Sequence, residues 1–271
     1  MSVASSVADW NSLAAAFVLT LVRIGAMIAL TPFFSSRALP VRTKAVFALA
    51  LCFLLAPVVA VTAASRTGSS GVGLSFSGIL GEVAVGAIYG LTLTLMDEML
   101  LLAGQIVGLQ FSFSLVNLLD PASEIQTPLM GDLFQLMGTL VLITAGLDRV
   151  LLASMVRSLR AVPLGTFPIA ALSASAHVLV PMLSGSFFAA LELAAPVLAS
   201  TILVEISVAL LGKLSPQLPV ISLTVPLKTL TGFTLLIGSL ALWPRFIEAR
   251  FSNLLDVAEK LISQSAAGGR G

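Results

Sequence analysis

Apolar residues fall in long blocks along the chain, at 13–34, 45–64, 79–119, 129–147, 178–211 and 220–243. A membrane-crossing helix needs about 20 consecutive apolar residues, and each block reaches or approaches that length. Two are too long for one simple span. The block 178–211 would reach roughly 51 Å at about 1.5 Å per residue. The block 79–119 is interrupted only by Asp97 and Glu98. Each reads either as two spans or as one helix that continues beyond the lipid. Pro32, Pro57, Pro181, Pro196 and Pro226 sit inside or at the ends of these blocks, as membrane helices tolerate when neighbours satisfy the freed carbonyls.

The pattern changes between the second and third blocks and again after the last one. Residues 65–78 are rich in Gly and Ser, which reads as a loop. Residues 246–263 place Phe246, Phe251, Leu254, Leu255 and Ala258 opposite Glu248, Arg250, Asn253, Asp256 and Glu259, the period of a short amphipathic helix. Residues 264–271 read as a disordered tail. No Lys or Arg precedes Arg23, so a cleaved signal with a positive start is not expected. Basic residues gather at Arg37–Lys44, Arg149–Arg160 and Arg245–Arg250. If the block 79–119 turns at Asp97-Glu98 and the N-terminus lies outside, all three clusters fall on the cytoplasmic side.

Composition narrows the classes. Hydrophobic residues make up 58% and charged residues 10%, with mean hydropathy +1.07, far from a soluble domain. Net charge +1 offers no basic patch for nucleic acid. The lone Cys52 and lone His177 exclude a disulfide or a two-histidine site, and no catalytic or phosphate-cradling motif is present. The reading is a membrane protein that is not an enzyme, with no metal and no cofactor.

Charges inside the apolar blocks carry the candidate chemistry. Arg23 lies in the first block, Glu82 in the third, and Glu192 and Glu205 in the fifth. Such residues mark functional sites by default, or else pair to fix helix register. Glu192 and Glu205 fall on different faces of one straight helix, so a shared carboxylate site would need a break at Pro196. Gly86–Gly90 and Gly104–Gly108 match the small-residue spacing that lets helices approach closely. In segment 108–128, Phe111-Ser-Phe-Ser-Leu115 alternates with period 2, an extended pattern. Irregular backbone at membrane depth is tolerated only in protein or beside an aqueous cavity. Phe111, Phe113 and Leu115 are therefore candidate teeth of a hydrophobic constriction. The other reading is a helix-end turn with its phenylalanines in lipid.

Arg23-Ile-Gly-Ala-Met-Ile-Ala-Leu-Thr-Pro-Phe-Phe, Leu39-Pro-Val-Arg-Thr-Lys-Ala, Gly81-Glu-Val-Ala-Val-Gly-Ala-Ile-Tyr-Gly90, Asp120-Pro-Ala-Ser and Val162-Pro-Leu-Gly165 together resemble the FliR (FliR/MopE/SpaR) family of type III export-gate proteins. Ala195-Pro-Val-Leu, Ser215-Pro-Gln-Leu-Pro and Val225-Pro-Leu-Lys228 resemble the helical hairpin of FliQ. The resemblance implies an all-α polytopic protein of long, Pro-interrupted helices and hairpins, closing into a helical export-gate assembly. It implies a FliP-like part over about 1–180 and a FliQ-like part over about 181–263. Implied partners are FliP and FliQ, with FlhB and FlhA, membrane lipid and unfolded flagellar subunits in transit. The implied location is the bacterial inner membrane at the flagellar basal body. The plug of that gate corresponds here to Phe111, Phe113, Leu115, Val116 and Leu118, hinged at Gly104, Gly108 and Pro121. Arg23, Glu82, Glu192, Glu205 and Lys228 become contacts between helices or subunits. The family picture also places the assembled helices largely above the bilayer, where hydropathy reports burial in protein. An injectisome homologue is the near alternative; a secondary transporter is the more distant one.

Overall fold

The computed structural model describes residues 3–31, 40–67, 74–111, 129–168, 176–215, 217 and 220–268. Among them the secondary structure is helical throughout, with no strand. The helices are α1 (Val3–Leu30), α2 (Val41–Thr67), α3 (Phe76–Gln110), α4 (Leu129–Thr144), α5 (Leu147–Ala161), α6 (Ala176–Leu214), α7 (Val220–Ser239) and α8 (Trp243–Gly268). A 3₁₀ turn, Leu240–Leu242, joins the last two. Among the described residues, four stretches are long and apolar enough to cross a membrane: Leu13–Leu30, Phe76–Gln110, Leu179–Leu214 and Ser222–Gln264. The chain is an all-α, polytopic membrane protein.

Local chemistry sets the ends. The Ser75 hydroxyl accepts the Gly78 N–H at 3.0 Å, capping the start of α3. Gly146, at φ +70°, ends α4 and its N–H reaches the Ile143 carbonyl at 3.1 Å, the left-handed stop that glycine adopts without steric cost. Pro244 has no N–H to offer Leu240, and the Trp243 N–H takes that carbonyl instead. The 3₁₀ turn before α8 follows from this substitution of donors.

Three expectations change. The block 79–119 does not turn at Asp97-Glu98; α3 runs through both as one helix. The reason is lateral: Gln135 of α4 donates to the Asp97 carboxylate at 2.9 Å, so the charge is met by a neighbouring helix rather than by a loop. The parity that placed all three basic clusters on one side loses its turn. The block 178–211 forms a single helix with Pro181 and Pro196 inside it, so no break brings Glu192 and Glu205 together. At the C-terminus, helix α8 continues to Gly268, past residue 264, where the disordered tail is expected to begin.

The described helices group into two compact units, each discontinuous in sequence: 1–95 with 148–182 and 252–271, and 96–147 with 183–251. In the first, α1 packs along α2. Ala16, Leu19, Leu159 and Leu164 form a buried cluster there, flanked by Leu55 and Ile79. Helix α5 is strongly amphipathic: Leu151, Ser154, Met155, Ser158 and Leu159 are buried while Arg149, Arg157 and Arg160 are exposed. In the second unit, Phe134 packs on Trp243 with ring centroids 4.7 Å apart. Much of α6 is uncovered, with Phe187, Phe188, Leu203, Leu210 and Leu214 all exposed.

Candidate functional site

The first unit is organised around a fully buried ion pair. Glu82, Gly86 and Gly90 recur every four residues and so share one face of α3. A Cβ on Gly86 would overlap the Arg23 carbonyl, and one on Gly90 would lie 2.7 Å from the Leu30 Cβ. The two glycines therefore let α3 lie against α1, and Glu82 meets Arg23 one turn away. Arg23 Nε donates to Glu82 Oε2 at 2.5 Å and Nη2 to Oε1 at 3.1 Å, a bidentate pair. Both side chains are 0% exposed. The remaining guanidinium donors reach the Ser158 hydroxyl at 3.1 Å and the Val162 carbonyl at 3.4 Å. Glu82 Oε1 also accepts the Gly165 N–H at 2.8 Å. Gly165 adopts φ +74°, a conformation that favours glycine.

Ser154 stands one turn before Ser158 on the same face of α5. Its hydroxyl donates to Glu259 of α8, whose carboxylate also meets Arg157 at 3.0 Å. Tyr89 donates to the Ser154 backbone carbonyl at 3.2 Å. Ser154, Ser158, Tyr89 and Glu259 were not singled out by sequence reasoning. The one available signal was the i, i+4 spacing of two serines on the apolar face of an amphipathic helix.

In the second unit, Glu192 pairs with Arg250 and Glu205 with Lys228. The two carboxylates thus serve different helices, as their different faces on α6 require. In each pair the carboxylate is the open member: Glu192 and Glu205 are exposed, whereas Lys228 is buried. Such pairs tie α6 to α8 and α7 while keeping charge satisfied in apolar surroundings.

Phe111 closes α3, its N–H still bonded to the Val107 carbonyl at 3.1 Å. It is 3% exposed and stacks on Phe233 of α7, with centroids 4.7 Å apart and planes at 23°. Gly104 and Gly108 lie within the unbroken α3, where Met130 and Gly131 of α4 occupy the space beside them. Phe113, Leu115, Val116, Leu118 and Pro121 lie outside the described residues. Among the described residues no group of three or more His, Cys, Asp or Glu side chains gathers as a metal site. The assembled groups hold helices together; each polar atom named above is taken up by another.

A profile of the family described as "Bacterial export proteins, family 1" matches residues 14–254. The chain is 27% identical over 258 residues to the flagellar biosynthetic protein FliR of Caulobacter vibrioides, covering 91% of this chain and 99% of that protein. It is 26% identical over 258 residues to FliR of Escherichia coli, covering 94% and 96%. It is 25% identical over 249 residues to FliR of Bacillus subtilis, covering 92% and 95%.

Proposed function

The chain belongs to the bacterial export proteins, family 1, and from that membership we propose that it is a pore component of the flagellar type III export gate. In this reading it assembles with FliP and FliQ in the inner membrane at the base of the flagellum, next to FlhA and FlhB. Unfolded flagellar subunits pass through the assembly, and the chain itself catalyses no reaction. The observation that carries the reading is the near full-length likeness to flagellar FliR proteins of distantly related bacteria. The large uncovered apolar surface of α6 supports it, because a face of that extent marks an interaction with protein or lipid.

Closure is assigned to the segment that follows α3. Phe113, Leu115, Val116 and Leu118 supply apolar side chains able to shut a narrow pore by excluding water, with Pro121 beyond them. Phe111 is packed against α7, so its part is that of the segment's foot. Arg23–Glu82 holds the frame of the first unit, and the exposed carboxylates Glu192 and Glu205, paired to Arg250 and Lys228, lie at the surface where partner subunits would meet them.

The test has two arms, both in cells. Deleting the chain abolishes secretion of flagellar subunits, and the intact gene restores it. Replacing Phe113, Leu115, Val116 and Leu118 together with alanine or serine makes the membrane leak small ions while secretion continues. Unchanged secretion after deletion would overturn the reading, as would solute uptake by vesicles holding only the purified chain, the behaviour of a secondary transporter.

A further inference from the structure

We infer that Gly232 and Phe233 of α7 are positioning residues of the gate, forming a socket that holds Phe111 and fixes where the chain leaves α3. The inference rests on the export-gate reading above and adds to it a site that no sequence motif marks. Its basis is packing between two helices of one compact unit.

Lys228, Gly232 and Leu236 recur every four residues and are all buried, so they define the inner face of α7. Lys228 is tied to Glu205 of α6, which sets the axial position of α7 beside its neighbour. One turn further on, the face presents a bare backbone at Gly232, and the Phe111 ring fills the opening. A Cβ on Gly232 would fall 2.9 Å from the Phe111 Cζ and 3.1 Å from Cδ1, with Cε1 nearer still. Real Cβ atoms do not approach so closely, and the obstacle is a ring that also stacks on Phe233. The next residues on α7's outer side, Leu230 and Leu235, are exposed; the socket is on the inner side alone. Val107, one turn before Phe111, is fully buried, and Phe111 itself is 3% exposed, so the end of α3 is packed on the same side as the socket.

The arrangement separates two tasks within one apolar stretch. A residue closing a pore must be able to move out of the path. A ring enclosed by glycine backbone and stacked on a second ring is held instead. The energy of that seat resists withdrawal of the α3 end when the gate opens.

Gly232→Ala is the decisive variant, made in the full chain within cells that assemble the whole complex. The added methyl reduces the seated population roughly tenfold or more, because overpacking against a fixed ring has no room to relax. Expected are normal amounts of the chain in the purified complex, a several-fold rise in small-ion leakage at rest, and altered secretion. Combining Gly232→Ala with Phe111→Leu returns leakage towards the parent level, since the smaller side chain accommodates the methyl. Phe233→Leu, which keeps burial and loses stacking, gives a weaker effect of the same sign. Parent-like leakage and secretion in an assembled Gly232→Ala complex would overturn the inference. Should Gly232→Ala fail to assemble, the double variant decides: no recovery of assembly or gating assigns Gly232 a packing role only and overturns it. Deletion of the chain runs alongside. If deletion leaves secretion intact, the export-gate reading fails; if deletion abolishes secretion while the socket variants change nothing, only the socket fails.

Discussion

Arg23→Met removes one half of a pair whose two side chains are both 0% exposed. Glu82 then loses its two guanidinium hydrogen bonds and its counter-charge, keeping only the Gly165 N–H. Leaving a buried charge without its partner costs about 3–5 kcal/mol. For a chain of this size that corresponds to a fall in melting temperature on the order of 10 °C. Glu82→Gln leaves the guanidinium uncompensated and falls in the same range. The double variant Arg23→Met/Glu82→Gln carries no charge, and its glutamine oxygen still accepts from Gly165. It recovers at least half of either loss, although the Val162 carbonyl remains without its donor at about 1–3 kcal/mol. The measurement is thermal unfolding of the purified protein in detergent, with steady-state level in membranes as a second readout. A double variant as unstable as the sum of the singles would show that the two residues do not couple. A loss below about 1 kcal/mol for Arg23→Met would show that the pair is hydrated, and the argument from burial would fall.

Two further predictions use the same assay. Gly86→Val drives a side chain into the Arg23 carbonyl, which cannot move without displacing α1, and destabilises by about 3 kcal/mol, the upper end for overpacking; Gly25→Ala, with open space around it, is tolerated and gains helix propensity of up to about 1 kcal/mol. Phe251→Ala, at a side chain 1% exposed, costs about 3–5 kcal/mol, whereas Phe188→Ala, at one 67% exposed, stays within about 0.5 kcal/mol in the isolated chain; equal losses at both would contradict the burial pattern.

The amphipathic segment near the C-terminus was legible because its signal is local. Phe251, Leu255 and Ala258 are buried, and Glu248, Asn253 and Asp256 are exposed, as the 3.6-residue period requires. Asp97 and Glu98 were misread for the opposite reason. Two acids in an apolar block look like a turn when only hydropathy is read. The amide that satisfies Asp97 comes from Gln135, far along the chain. The Phe-Ser-Phe-Ser alternation falls almost wholly outside the described residues; only Phe111 is described, at the end of α3. What lay beyond reach was the partner of Phe111, since Gly232 carries no side chain to announce a socket.

Composition and hydropathy by themselves determined a polytopic membrane protein, the positions of its apolar blocks and the oddness of Arg23, Glu82, Glu192 and Glu205. These are properties of single residues and near neighbours, and they survive any rearrangement of the helices. Tertiary structure alone decided that Arg23 meets Glu82, that Glu192 and Glu205 take different cations, and that Ser154 and Ser158 receive charges from α8 and α1. A pairing between residues 59 apart depends on which helix faces approach and at what height. The small glycine contacts Gly86 and Gly90 set that approach, and they act only once the helices are packed.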